Sequence, residues 1–82
     1  MNRITTKQPD GSYMAPSGAA IERLAQFENF VEELMSQQNE ISDHLDKLRA
    51  EGKDKTARFR ELMSQKLINV SVLMILERRG LT

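Results

Sequence analysis

The chain has 82 residues, and a chain of this length removes only about 60 to 65% of its unfolded surface from water when it folds alone. It contains no cysteine, which excludes disulfides and thiolate zinc sites and makes self-association the leading route to extra stability. Its net charge is zero, but residues 17–51 hold eight acids and three bases, whereas residues 52–82 hold seven bases and three acids.

This charge asymmetry has two explanations. Two helices of opposite charge that pack side by side would neutralise each other, and the overall charge balance favours this explanation. Alternatively, the basic half binds nucleic acid, although its only interleaved aromatic residue is Phe59, which belongs to the apolar stripe, and it lacks helix-turn-helix spacing. The residues that would make that contact are Lys53, Lys55, Arg58, Arg60 and Lys66.

Residues 1–16 are predicted to form a short β-hairpin or an extended arm. Pro9, Asp10 and Gly11 suit a type I turn followed by a bulge, because proline presets the first turn position and glycine tolerates positive φ. The alternative is disorder, since an isolated two-stranded ribbon is marginally stable in water.

The first helix is predicted over residues 18–51, with Ser17 as its N-cap. Apolar residues recur in steps of three and four along it, as expected for one helical face. They are Leu24, Phe27, Val31, Leu34, Ile41, Leu45 and Leu48. Gln38 interrupts this stripe, and such a residue either fixes register or oligomeric state, or is exposed to solvent.

The segment "MNRITTKQPDGSY", followed by "AIERLAQFE", resembles the start of small prophage and mobile-element proteins of Gram-positive gut bacteria. The shared features are Arg3, Ile4, Thr5, Thr6, Asp10, Gly11 and the segment 20–25. The resemblance covers residues 1–28, and beyond Glu28 the chain departs from that pattern with a long helix. It implies a mobile-element setting and no particular activity.

The segment "AEGKDKT" is predicted to break the helix. Gly52 suits the position after a helix end, and Asp54 can cap the next helix. The alternative is one uninterrupted helix, since a single glycine costs only about 1 kcal/mol there.

The second helix is predicted over residues 55–79, with Gly80 as its stop and Leu81 folding back in a Schellman motif. It contains "LINVSVLMIL", in which eight of ten residues are apolar and which also alternates acceptably for a strand. We favour a helix because the flanking segments on both sides have helical patterns. The fold class is therefore all-α: residues 17–82 form an antiparallel two-helix hairpin within an oligomeric bundle.

The apolar run predicts self-association. Leu67, Val70, Leu73 and Met74 are predicted to form one stripe, and the remaining apolar residues spread too widely for one partner helix to cover. The run is too short for a membrane span of about 20 residues. We therefore expect a homo-oligomer, a dimer or tetramer. Its predicted interface residues are Leu67, Val70, Leu73, Met74, Ile75 and Leu76.

Catalytic and metal-binding patterns are weak. His44 is the single histidine, and together with Glu40 it supplies two ligands where structural zinc needs four. A nucleophilic serine would have only His44 as a possible histidine base. We therefore expect no enzyme activity, metal or cofactor, and a cytoplasmic protein that acts in protein–protein interaction or regulation within a mobile element. The alternative is a small nucleic-acid-binding protein.

Overall fold

A computed structural model describes residues 1–82 and contains two short strands followed by two helices. They are β1 (Thr6–Lys7), β2 (Tyr13–Met14), α1 (Ser17–Ala50) and α2 (Ala57–Arg78). This confirms the predicted two-helix, mainly α fold with an N-terminal β-hairpin. The chain divides into two compact units, Met1–Phe30 and Val31–Thr82, which are described in turn.

The first unit contains the β-hairpin, in which Thr6 pairs with Met14 and Lys7 with Tyr13. The backbone N–H of Gly11 donates to the carbonyl of Gln8 at 3.0 Å, and Gly11 has a φ of +89°. That hydrogen bond followed by a positive-φ glycine is the pattern of the predicted turn and bulge.

The side chain of Asp10 reinforces this turn. Its carboxylate accepts a hydrogen bond from the Ser12 hydroxyl at 2.6 Å and another from the Ser12 backbone N–H at 2.9 Å. The hydroxyl bond first, and the backbone bond second, lower the pKa of Asp10 below its ordinary value of 3.8, because both favour the ionised carboxylate. The turn is therefore held by a side chain that is charged at neutral pH.

The start of the chain is tied to α1 by Arg23, whose guanidinium donates to the backbone carbonyl of Asn2. The predicted N-cap at Ser17 is wrong by one position. The carbonyl of Pro16 accepts the first helical hydrogen bond, from the N–H of Ala20 at 2.9 Å, so Ser17 is the first residue inside the helix. Proline is compatible with this position, because the backbone N–H that it lacks has no partner in the first turn of a helix.

In the second unit, α1 ends at a Schellman motif. The N–H of Lys53 donates to the carbonyl of Leu48 at 2.8 Å, and the N–H of Gly52 donates to that of Arg49 at 3.0 Å. Gly52 has a φ of +72°, which a residue with a Cβ adopts only at a cost. The predicted break at Gly52 is confirmed.

The N-cap of α2 is Thr56, and the prediction of Asp54 is wrong. The Thr56 hydroxyl accepts from the N–H of Phe59 at 3.2 Å and donates to the carbonyl of Lys53 at 2.8 Å. A hydroxyl can donate and accept at once, whereas an ionised carboxylate only accepts. One threonine therefore both holds the turn and starts the helix, two residues later than predicted.

The run "LINVSVLMIL" is helical throughout, as predicted. The helix ends at a second Schellman motif, in which the N–H of Leu81 donates to the carbonyl of Leu76 at 2.9 Å. Gly80 has a φ of +72°, and its N–H donates to the carbonyl of Glu77 at 3.0 Å. The predicted stop at Gly80 is confirmed.

The core of the second unit is small. A cluster of buried aliphatic side chains joins the two helices, with Phe59 and Met63 packed against it. Its members are Ile41, Leu45, Leu48 and Leu62. Leu45 alone among them has no exposed surface. The hairpin is therefore closed near its turn by a core only a few side chains thick.

Candidate oligomer interface

The face of α2 that meets α1 is defined by its buried and half-buried residues, which recur in steps of three and four as in a two-helix seam. The residues that recur in this way are Phe59, Leu62, Lys66, Asn69, Leu73 and Leu76, and the half-buried Met63 and Val72 lie on either side of them. Of the stripe predicted through Leu67, Val70, Leu73 and Met74, only Leu73 is half-buried and the other three residues are exposed. Leu73 lies on the seam with α1, whereas Leu67 and Met74 lie outside it.

Asn69 lies at the centre of this seam and is only 3% exposed. Its Nδ2 donates to Oε1 of Gln38 at 2.8 Å and to Oε1 of Gln37 at 3.0 Å, and its Oδ1 accepts from Nε2 of Gln65 at 2.8 Å. No buried side-chain nitrogen or oxygen in the chain lacks a partner. The seam thus contains a fully bonded amide cluster at this level.

Gln38 occupies a position for which the sequence left two outcomes open. It is half-buried, and its Nε2 also donates to the backbone carbonyl of Lys66 at 3.1 Å. These bonds join α1 to α2 at one level, so Gln38 contributes to the register of the hairpin and is not a freely solvated side chain.

The hydrophobic pattern of the sequence does not single out Asn69 as a seam residue. A signal for it existed, because Asn69 lies seven residues after Leu62 and seven before Leu76. This spacing does not stand out among the surrounding apolar residues, because most rotations of α2 about its axis would turn apolar side chains toward α1.

A second line of apolar residues runs along α2 beside the seam, and we call it the outer strip: Met63, which also packs against the core, and the exposed Leu67, Val70 and Met74. Their spacing of four, three and four residues places them along one side of the helix. Met63 is half-buried, and the exposed fractions of Leu67, Val70 and Met74 are 59%, 37% and 55%. Contiguous exposed apolar side chains are typical of an interaction surface.

The other predicted interface residues lie elsewhere on the helix. Ile75 is 49% exposed and, by helical spacing, lies with Ile68, itself 58% exposed, on the opposite flank of the seam. Leu73 and Leu76 are half-buried on the seam itself. The outer strip therefore retains three of the six predicted residues and gains Met63.

The opposite charges of the helices do not form ion pairs between them. The ion pairs are Asp46 with Arg49, Glu51 with Lys53, and Glu61 with Arg58, and each joins near neighbours in the sequence. The neutralisation expected between two oppositely charged helices therefore involves no ion pair between α1 and α2. The polar side chains that meet across the seam are the amides of Gln37, Gln38 and Asn69.

The predicted nucleic-acid residues are partly neutralised within the chain. Lys53 lies 3.2 Å from a carboxylate oxygen of Glu51, and Arg58 lies 3.3 Å from one of Glu61. Lys66 is half-buried, while Lys55 and Arg60 are exposed. Two of the five predicted nucleic-acid residues, Lys53 and Arg58, thus already form ion pairs with acidic neighbours.

His44 and Glu40 are both exposed on α1. No group of three or more histidine, aspartate or glutamate residues lies close enough together to hold a metal ion. Neither helix combines the length and apolar character needed to cross a membrane.

The chain matches no known family model, no curated protein and no solved structure at a significant level. The outer strip and the charges beside it are therefore the features from which a function can be proposed.

Proposed function

We propose that the protein is a non-enzymatic homo-oligomeric helical module, and that it acts by protein–protein contact through the outer strip. The observation that supports this proposal is the exposure of Leu67 and Met74 at 59% and 55% in a helix whose other side is already packed. A regulatory role within a mobile element is part of the proposal and depends on the N-terminal resemblance.

The energetics of the outer strip support association that depends on concentration. Full burial of one such side chain contributes about 1.5 to 3 kcal/mol, and about half of that remains available for Leu67, Val70 and Met74. Two copies together would gain on the order of 5 to 9 kcal/mol. This gain is similar to the cost of association, so we expect an equilibrium between monomer and oligomer at accessible concentrations.

The small core gives a reason for the chain to associate. The cluster around Leu45 lies near the turn of the hairpin, and within "LINVSVLMIL", toward the other end of α2, only Asn69 is buried. A second copy placed on the outer strip would extend the core along this part of the helix, as in a helical bundle.

Leu67→Glu tests the proposal because it places a charge at the centre of the outer strip without touching the seam. We expect the wild-type chain to form a dimer or tetramer as its concentration rises, measured by light scattering coupled to size exclusion. The variant should remain a monomer with unchanged helicity by circular dichroism. Ser64→Glu, at an exposed position of α2 outside the strip, is the matched control and should associate like the wild type.

A wild-type chain that remains at 9.4 kDa up to millimolar concentration would overturn self-association. Equal association of the wild-type chain and Leu67→Glu would show that a different surface joins the copies.

A further inference from the structure

We infer that the outer strip joins two copies in an antiparallel two-fold contact, with Leu67 of one copy against Val70 of the second and Met63 against Met74. This inference rests on the proposed self-association and adds its geometry. The strip is covered by the α2 helix of the second copy. The two-fold axis passes near the midpoint between residues 68 and 69.

The first argument is the spacing of the strip, which reads the same in both directions. Met63 and Met74 lie at equal distances from the midpoint, and so do Leu67 and Val70. In an antiparallel two-fold contact, residues at equal distances before and after the axis face each other. Leu67 and Val70 of each copy would therefore meet apolar partners, and Met74 would meet the part of Met63 that the core leaves exposed.

Spacing alone does not decide the direction, because a parallel contact would also place the strip against itself. Met63 would then face Met63 of the second copy, and Leu67 would face Leu67. The choice between the two directions comes from the charges at the ends of the strip.

Arg60 and Glu77 continue the strip by one step of three residues at each end and lie at equal distances from the same midpoint. Both are exposed, and neither forms an ion pair within the chain. An antiparallel contact places Arg60 at the level of Glu77 of the second copy at both ends. A parallel contact would instead place arginine against arginine and glutamate against glutamate, which is repulsive.

The helix dipoles favour the same direction. Side-by-side antiparallel helices bring the positive end of one macrodipole to the negative end of the other. Charge complementarity and helix dipoles thus agree on an antiparallel pair, which would assemble the two hairpins into a four-helix bundle.

Engineered cysteines test the direction, because the chain has no cysteine of its own. Residues 63 and 74 are eleven positions apart, or about 16 Å along the helix. A disulfide requires Cα atoms within about 7 Å of each other. Met63→Cys and Met74→Cys, mixed under reducing conditions and then oxidised, should cross-link to each other, whereas either variant alone should not.

The outcomes separate this inference from the proposed function. Cross-linking of Met63→Cys to itself in a dimer would establish a parallel contact and overturn the inference. A dimer that forms no disulfide in the mixture would also overturn it, while leaving self-association intact. A chain that is monomeric at all concentrations would overturn both. Circular dichroism of each variant establishes that it is folded.

A charge exchange gives an independent readout without altering the core. We expect Arg60→Glu and Glu77→Arg each to weaken dimerisation by about three- to tenfold, and the double variant to recover wild-type affinity. Lys55→Glu changes the net charge equally but lies in the turn, and its affinity should match the wild type. If the double variant is as weak as the sum of the two single variants, the antiparallel contact is wrong.

Discussion

At the scale of single residues, Asn69 is the polar side chain that the seam between α1 and α2 buries most deeply, and its amide bonds three glutamines. A buried amide without partners costs about 1 to 3 kcal/mol, so the cluster favours the one register in which all its bonds form. Apolar seams tolerate sliding more readily, because aliphatic contacts have no direction. Asn69 therefore contributes specificity more than it contributes stability.

Truncating Asn69 tests this role. Asn69→Ala removes the centre of the cluster and leaves Gln38 and Gln65 without their shared partner, so we expect a loss of about 1 to 3 kcal/mol in the free energy of unfolding. Urea denaturation at one fixed protein concentration measures this change. Asn39→Ala, at an exposed position of α1, should stay within about 0.5 kcal/mol of the wild type. A similarly small effect of Asn69→Ala would mean that the cluster does not hold the helices together.

At the scale of elements, both helices end in the same way and for the same physical reason. Gly52 and Gly80 each have a φ of +72°, and each lets the backbone fold back to satisfy carbonyls of the last turn. The turn between the helices is short because Thr56 caps α2 while also bonding Lys53. The hairpin geometry thus depends on one glycine and one threonine that lie four residues apart.

The capping role of Thr56 makes a prediction at this scale. Thr56→Ala should lower the free energy of unfolding by about 1 kcal/mol, because the N–H of Phe59 loses its acceptor. Asp54→Ala is the matched control, since Asp54 was the cap expected from the sequence, and it should have little effect. Thermal or urea denaturation measures both variants, and a larger loss for Asp54→Ala would assign the cap to Asp54.

At the scale of the whole molecule, the chain combines a small core with a wide apolar surface. The second unit buries few aliphatic side chains, while Leu67, Ile68, Met74 and Ile75 are each about half exposed. A chain of this size has little surplus stability of its own. Association through the outer strip would therefore add a substantial fraction of the total stability.

This coupling predicts that the thermal midpoint depends on protein concentration. Each tenfold rise in concentration should favour the associated state by about 1.4 kcal/mol per dimer, so the midpoint of the wild-type chain should increase. Leu67→Glu should show a constant midpoint across the same series. Circular dichroism melts from micromolar to millimolar concentration measure both, and a constant midpoint for the wild type would show that folding and association are not coupled.

The sequence by itself determined the elements of this protein. The Pro9-Asp10-Gly11 turn, the break at Gly52 and the stop at Gly80 depend on local backbone preferences, which are already present in the unfolded chain. The helical state of "LINVSVLMIL" was also predictable, because the flanking segments on both sides favour a helix.

Only the tertiary structure decided which face of α2 meets α1. In a run where most positions are apolar, hydrophobic spacing fits several rotations of the helix about its axis equally well. In the structure, the face that meets α1 is the one that brings the Asn69 amide to its partners Gln37 and Gln38. The same rotation leaves Leu67, Val70 and Met74 outside, because burying Asn69 with its partners turns this side of the helix toward solvent.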